Sequence, residues 1–113
     1  MARFVAGDVV VVPFPFSNLS KSKRRPALVL ADLVGNDMVL CQITSQSNRD
    51  PYAIELSNED FEKGSLKKDS NIRPNRIFTA DKKIIIYKVG MINDRTFNEV
   101  IDKLNELFKK KGK

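Results

Sequence analysis

The sequence has no histidine, no tryptophan and a single cysteine among its 113 residues. Without histidine the chain lacks the usual carrier of protons near neutral pH and the commonest zinc ligand. Only Cys41 and scattered acids are left as metal ligands, so neither a metal nor a cofactor is expected. One cysteine cannot close an internal disulfide. Placed in the apolar segment Met38-Val39-Leu40-Cys41, it reads as a buried, inert thiol in a reducing compartment. No apolar run approaches the roughly 20 residues of a membrane helix, and Asp8 stands where a signal peptide would have its apolar stretch. A cytoplasmic protein with no membrane association is expected. Seven Phe and two Tyr offer little flat surface for stacking bases.

What is present is an ordinary globular composition, 42% apolar and 30% charged, of a length that suits one domain over residues 1–113. The net charge of +6 is unevenly placed: residues 21–25 and the tail 109–113 carry +4 each, which leaves the remainder at −2. The tail reads as a flexible appendage; the segment "KSKRRPALVL" is held by structure on both sides. Strands are expected at Asp8–Phe14, Ala27–Ala31 and Met38–Thr44, the last two joined as a hairpin through Gly35-Asn36-Asp37. Further strands are expected at Tyr52–Leu56 and at Ile84–Tyr87, the latter closed by Gly90. A short helix over Ser57–Lys63 would have Ser57 as its cap and Gly64 just beyond. Phe97, Val100, Ile101, Leu104, Leu107 and Phe108 form one helical stripe, capped by Asn93 or Thr96. Together these elements predict a mainly β fold, a small barrel of five to seven strands with a short helical insertion and a C-terminal amphipathic helix.

Three polar segments sit at strand ends. Pro26 holds Arg25 extended as it enters its strand. "CQITSQSN" ends in Thr44, Ser45 and Gln46, and "SNIRPNRIFTAD" adds Arg73, Asn75, Arg76, Thr79 and Asp81. Arginine's planar fork suits a phosphate, and a threonine hydroxyl adds a neutral donor. If the segments converge, they make an anion site suited to a phosphodiester, with no evident proton acceptor.

In order and spacing, "GDVVVVPFPFSNLSKSKRRPALVLADL", "QITSQ" and "SNIRPNRIFTAD" resemble the PemK/MazF-like toxins of type II toxin–antitoxin systems. The resemblance covers nearly the whole chain. It implies an SH3-like barrel, a homodimer, a cognate antitoxin, and a metal-independent endoribonuclease that cuts single-stranded RNA to a 2′,3′-cyclic phosphate. By motif position it implies catalytic roles for Arg25, Thr44 and Arg73. RNA-binding roles would fall to Lys21, Lys23, Arg24, Ser45, Gln46, Asn75 and Arg76. Two acids used in branches of the family are replaced here by Asn75 and Ser20, and Asp81 is expected to be structural. The alternatives are a non-catalytic growth inhibitor of the same fold, acting through its final helix as a gyrase poison does, and a plain RNA-binding module.

Overall fold

Val9, Val10, Val11 and Val12 alternate between the two faces of their strand, yet all four are buried. Their strand is therefore covered on both sides, and two cores result. The computed structural model describes residues 3–14, 23–45 and 50–109. Among these residues there are seven strands: β1 Asp8–Phe14, β2 Lys23–Asp32, β3 Asp37–Thr44, β4 Ile54–Leu56, β5 Phe61–Gly64, β6 Ser70–Asp81 and β7 Tyr87–Ile92. The α-helix among them, α1, spans Asp94–Phe108. The first core gathers Val9, Leu28, Cys41, Ile43 and Ile72 beneath Val100 and Leu104 of α1. The second lies on the opposite face and contains Val10, Val12, Ala27, Val29, Met38 and Leu40.

The strands form one antiparallel sheet in the order β4-β6-β3-β2-β1-β7-β5. Its two edge strands, β4 and β5, are consecutive in the chain and separated by only Ser57 and a 3-10 turn over Asn58–Asp60. Five residue steps, from Leu56 to Phe61, span at most about 17 Å, so the sheet has to curl until its edges nearly meet. The outcome is a half-closed barrel whose most extensive pairing runs through β6, β3, β2 and β1.

The segment expected as a short helix starts as predicted and then departs. Asp60 Oδ2 accepts from the Ser57 amide at 2.8 Å and from the Ser57 hydroxyl at 3.3 Å, but the turn stops after three residues. From Phe61 the chain pairs with β7 instead. Gly64 has φ +75° and lies opposite Gly90. A methyl group on Gly64 would overlap the Val89 carbonyl, and one on Gly90 the Lys63 carbonyl. These two glycines mark a close approach of backbones, not a helix end and a strand end. Ile84–Tyr87 is not a buried strand either. Asp81 caps a 3-10 turn over Lys82–Ile84 by accepting from the Lys83 amide at 2.8 Å, and pairing begins only at the exposed Tyr87. Tyr52 likewise stands before its strand, in a turn set by Asp50, so β4 begins at Ile54.

The C-terminal helix matches its pattern. Asn93 Oδ1 accepts from the Thr96 amide at 2.8 Å and caps α1. Thr96 is buried and donates its hydroxyl to Asp60 Oδ1 at 2.8 Å, which ties the helix start to the turn between β4 and β5.

Candidate functional site

The second core passes row by row into a polar end. Across β2, β3 and β6 the first row is Val29, Leu40 and Phe78; the next is Ala27, Gln42 and Arg73. Carrying the β2–β3 register on by two residues sets Arg25 opposite Thr44, and Thr44 is paired with Asn71. All of these share one face, because side chains alternate along a strand and the paired residues face the same way. Arg25 and Arg73 thus stand two strand spacings apart, about 10 Å laterally, within joint reach of a single phosphodiester. Thr44 lies between them, nearly buried. Asn71 is paired in turn with Glu55 of β4, which places an exposed acid at the end of the same row.

Arg73 is presented by an irregularity in β6. Gln42 pairs with Arg73 whereas Cys41 pairs with Ile77, so Pro74, Asn75 and Arg76 bulge from the ladder. The guanidinium is then held from the side: its Nε donates to Asp50 Oδ2 at 2.9 Å, with the Asp50 side chain 4% exposed. Asp50 belongs to the β3–β4 connection, where its Oδ1 accepts from the Tyr52 amide at 2.9 Å and its carbonyl accepts from the Ala53 amide at 3.2 Å. Burial acts to raise the Asp50 pKa, but the Tyr52 amide, the Arg73 guanidinium and the Asn75 side-chain amide together outweigh it and hold the carboxyl below its usual range.

The other expected residues are scattered. Arg24 alternates with Arg25 and so leaves the opposite face, yet a cleft of about 530 Å³ is lined by both arginines together with Lys67, Tyr87 and Lys88. Lys23 is exposed at the start of β2, and Asn75 and Arg76 are exposed in the β6 bulge. Ser45, just past β3, lines a smaller cavity of about 270 Å³ with Glu55, Asp69, Ser70 and Asn71. Lys21, Gln46 and Ser20 lie outside the described residues. Sequence reasoning missed Gln42, Asn71 and Asp50. Strand alternation from Thr44 and Arg73 carries the first two, and the Asp-Pro turn at the end of "QITSQSNRDP" carries the third.

A family model for PemK-like, MazF-like toxins of type II toxin–antitoxin systems matches residues 6–108. The chain belongs to this family. The match spans all seven strands and the whole of α1. No curated protein sequence matches the chain. Among solved structures, the fold is similar to a MazE–MazF complex from Deinococcus radiodurans, at 23% identity and a TM-score of 0.74 over 91% of this chain and 94% of that one. It is also similar to a mycobacterial endoribonuclease in complex with its cognate antitoxin, at 15% identity and a TM-score of 0.70, covering 94% of this chain and 93% of that one. The Mycobacterium tuberculosis toxin MazF-mt6 is similar at 13% identity, with a TM-score of 0.67 over 89% of this chain and 95% of that one. These similarities establish the toxin fold. Among the described residues of this toxin-family chain, no helix is long and apolar enough to cross a membrane.

Proposed function

We propose that the chain is the toxin of a type II pair and a metal-independent endoribonuclease acting on single-stranded RNA in the cytoplasm. The observation that carries this reading is the convergence of Arg25, Thr44 and Arg73 on one face of three neighbouring strands, where the second core turns polar. RNA brings its own nucleophile. The 2′-oxygen attacks phosphorus, the bond from phosphorus to the 5′-oxygen breaks, and a 2′,3′-cyclic phosphate and a 5′-hydroxyl result. The proton of the 2′-hydroxyl passes to water and the leaving oxygen takes one up. Arg25 and Arg73 stabilise the charge that gathers on the phosphoryl oxygens, and the Thr44 hydroxyl orients the phosphate or the 2′-hydroxyl. Lys21, Lys23, Ser45, Gln46, Asn75 and Arg76 contribute charge and hydrogen bonds along the strand, and Arg24 a weaker field from the far face.

A cognate antitoxin with a flexible, acidic segment covers this groove, and a homodimer is the working unit. Structures of relatives solved as toxin–antitoxin complexes support the antitoxin. The gyrase-poison alternative calls for apolar side chains exposed along the final helix. Instead Val100 and Leu104 are buried, Phe97 and Ile101 pack against the first core, and the strongly exposed Phe108 is the last residue of α1.

To test the reading, the purified chain is incubated with a long single-stranded phage RNA in excess chelator, and the new ends are mapped. Cleavage leaving cyclic phosphates is expected, reduced about 100-fold or more by Arg25→Ala or Thr44→Ala. Intact RNA, or cleavage that survives both substitutions, overturns the assignment.

A further inference from the structure

A strand arginine such as Arg73 would be free to adopt many rotamers, were its guanidinium not tied down at Nε. The residue that ties it is 23 positions away in sequence and on a different element. Asp50 spends one carboxylate oxygen on the Tyr52 amide, which fixes its own turn, and the other on Arg73 Nε. Pro51 follows directly, so the backbone at this turn is restricted as well. One acid, its side chain largely shielded, therefore ties the β6 arginine to the β3–β4 turn.

The choice of Nε matters chemically. A guanidinium has five N–H donors in a fixed plane. Engaging the Nε edge through Asp50 leaves the four Nη hydrogens, the edge that forms a bidentate pair with two phosphate oxygens. A partly buried ion pair of this kind contributes little net stability, since desolvation offsets most of the Coulomb attraction. Its clearer consequence is orientation.

We propose that Asp50 is the positioning residue of the phosphate site: it holds Arg73 through Nε, so that the Nη edge faces the scissile phosphodiester. This rests on the endoribonuclease reading given above. Asp50 touches no substrate atom and takes no proton; it acts through Arg73.

The test is a double-mutant cycle on a fluorescent RNA oligonucleotide that carries a cleavage site mapped on the phage RNA. Wild type, Asp50→Ala, Arg73→Ala and the double variant are compared in kcat and KM, and thermal melting is measured for each. Asp50→Ala is expected to lower kcat about tenfold, as slight misplacement of a catalytic group does, with less than about a twofold further loss in the Arg73→Ala background. Should the alanine variant fail to fold, Asp50→Asn carries the test in its place. The amide keeps the size and one acceptor for the Tyr52 turn but loses the charge that pairs with Arg73. Equal losses in the two backgrounds, or unchanged kcat in both Asp50 variants, overturn the inference and leave the cleavage reading intact. A wild-type chain that leaves RNA uncut overturns that reading and this inference together.

Discussion

Individual side chains in this fold are specified by what surrounds them, and Cys41 and Asp50 show it in opposite directions. Burial alone pushes the Cys41 thiol from 9.0 to about 12, because a thiolate in the first core would have no counter-charge. The thiol is neutral and inaccessible at physiological pH, so a disulfide-exchange reagent should label it only on the timescale of unfolding; rapid stoichiometric labelling of native protein would contradict its placement. The linkage sign follows from the raised value. Between about 9 and 12 the unfolded chain releases the thiol proton and the folded chain keeps it, so stability falls as pH rises through that window. Asp50 has the reverse sign, since its folded carboxyl is held below the ordinary aspartate value of 3.8. Its contribution is present above that value and is lost as pH falls through the folded pKa. Acid titration of the melting temperature should accordingly show a smaller drop in Asp50→Asn than in wild type. Asp8 is a third case: fully buried at the start of β1, it accepts from the Val5 amide at 2.9 Å and lies 3.3 Å from Lys88 Nζ.

At the scale of elements, the connection between the two edge strands is what shapes the barrel. Asp60 stands at its centre, with one oxygen on Ser57 and the other on the Thr96 hydroxyl of α1. Asp60→Ala removes both at once and leaves a buried hydroxyl without its acceptor. A loss of about 2–3 kcal/mol is expected in denaturant titration, as for a charged hydrogen-bond partner removed from a buried group. The pair Gly64 and Gly90 sets a harder limit, because what faces each glycine is backbone and no side chain can rotate away. Gly90→Ala should therefore unfold the β5–β7 pairing, seen as the disappearance of amide protection in Phe61–Gly64 while β2 and β3 stay protected. The helical pattern of Ser57–Lys63 misleads here for a definite reason. Ser57, Asp60 and Gly64 are good helix punctuation, but seven residues make too few internal bonds to outweigh strand pairing with β7. The Ile84–Tyr87 run misleads similarly: apolar residues in a row suggest a strand, yet the Asp81 cap and the Asn36 carbonyl, which accepts from the Lys82 amide at 2.8 Å, capture this backbone first.

Over the whole molecule, the cations differ in how they relate to the polar end of the second core. Arg25 and Arg73 lie on that end, whereas Arg24 leaves the opposite side of β2, toward a cleft that Arg25 and Lys67 also line. RNA affinity on the proposed groove should be salt-dependent, and removing one cation that pairs with a phosphate should reduce the slope of log K against log salt by about 0.7. Measured with an oligonucleotide made uncleavable by 2′-deoxy substitution, Arg25→Ala and Arg73→Ala are each expected to give that reduction. Arg24→Ala should give less; an equal effect of Arg24 would place the strand across both faces.

The family resemblance singles out Thr44 and Arg73, whereas the strand positions β1 and β3, the capped helix α1 and the extended Arg25 follow from local pattern: β-branched runs, an Arg-Pro pair, a helical stripe. These are near-neighbour effects that a linear chain already encodes. What the tertiary structure decided was register and reach. The β6 bulge that turns Arg73 toward Gln42 and the pairing of Gly64 with Gly90 both depend on which strands become neighbours in a curled sheet. Asp50 is the clearest instance. Its turn is written in the Asp-Pro dipeptide, but its grip on Arg73 exists only because β6 and the β3–β4 connection meet at the open end of the barrel.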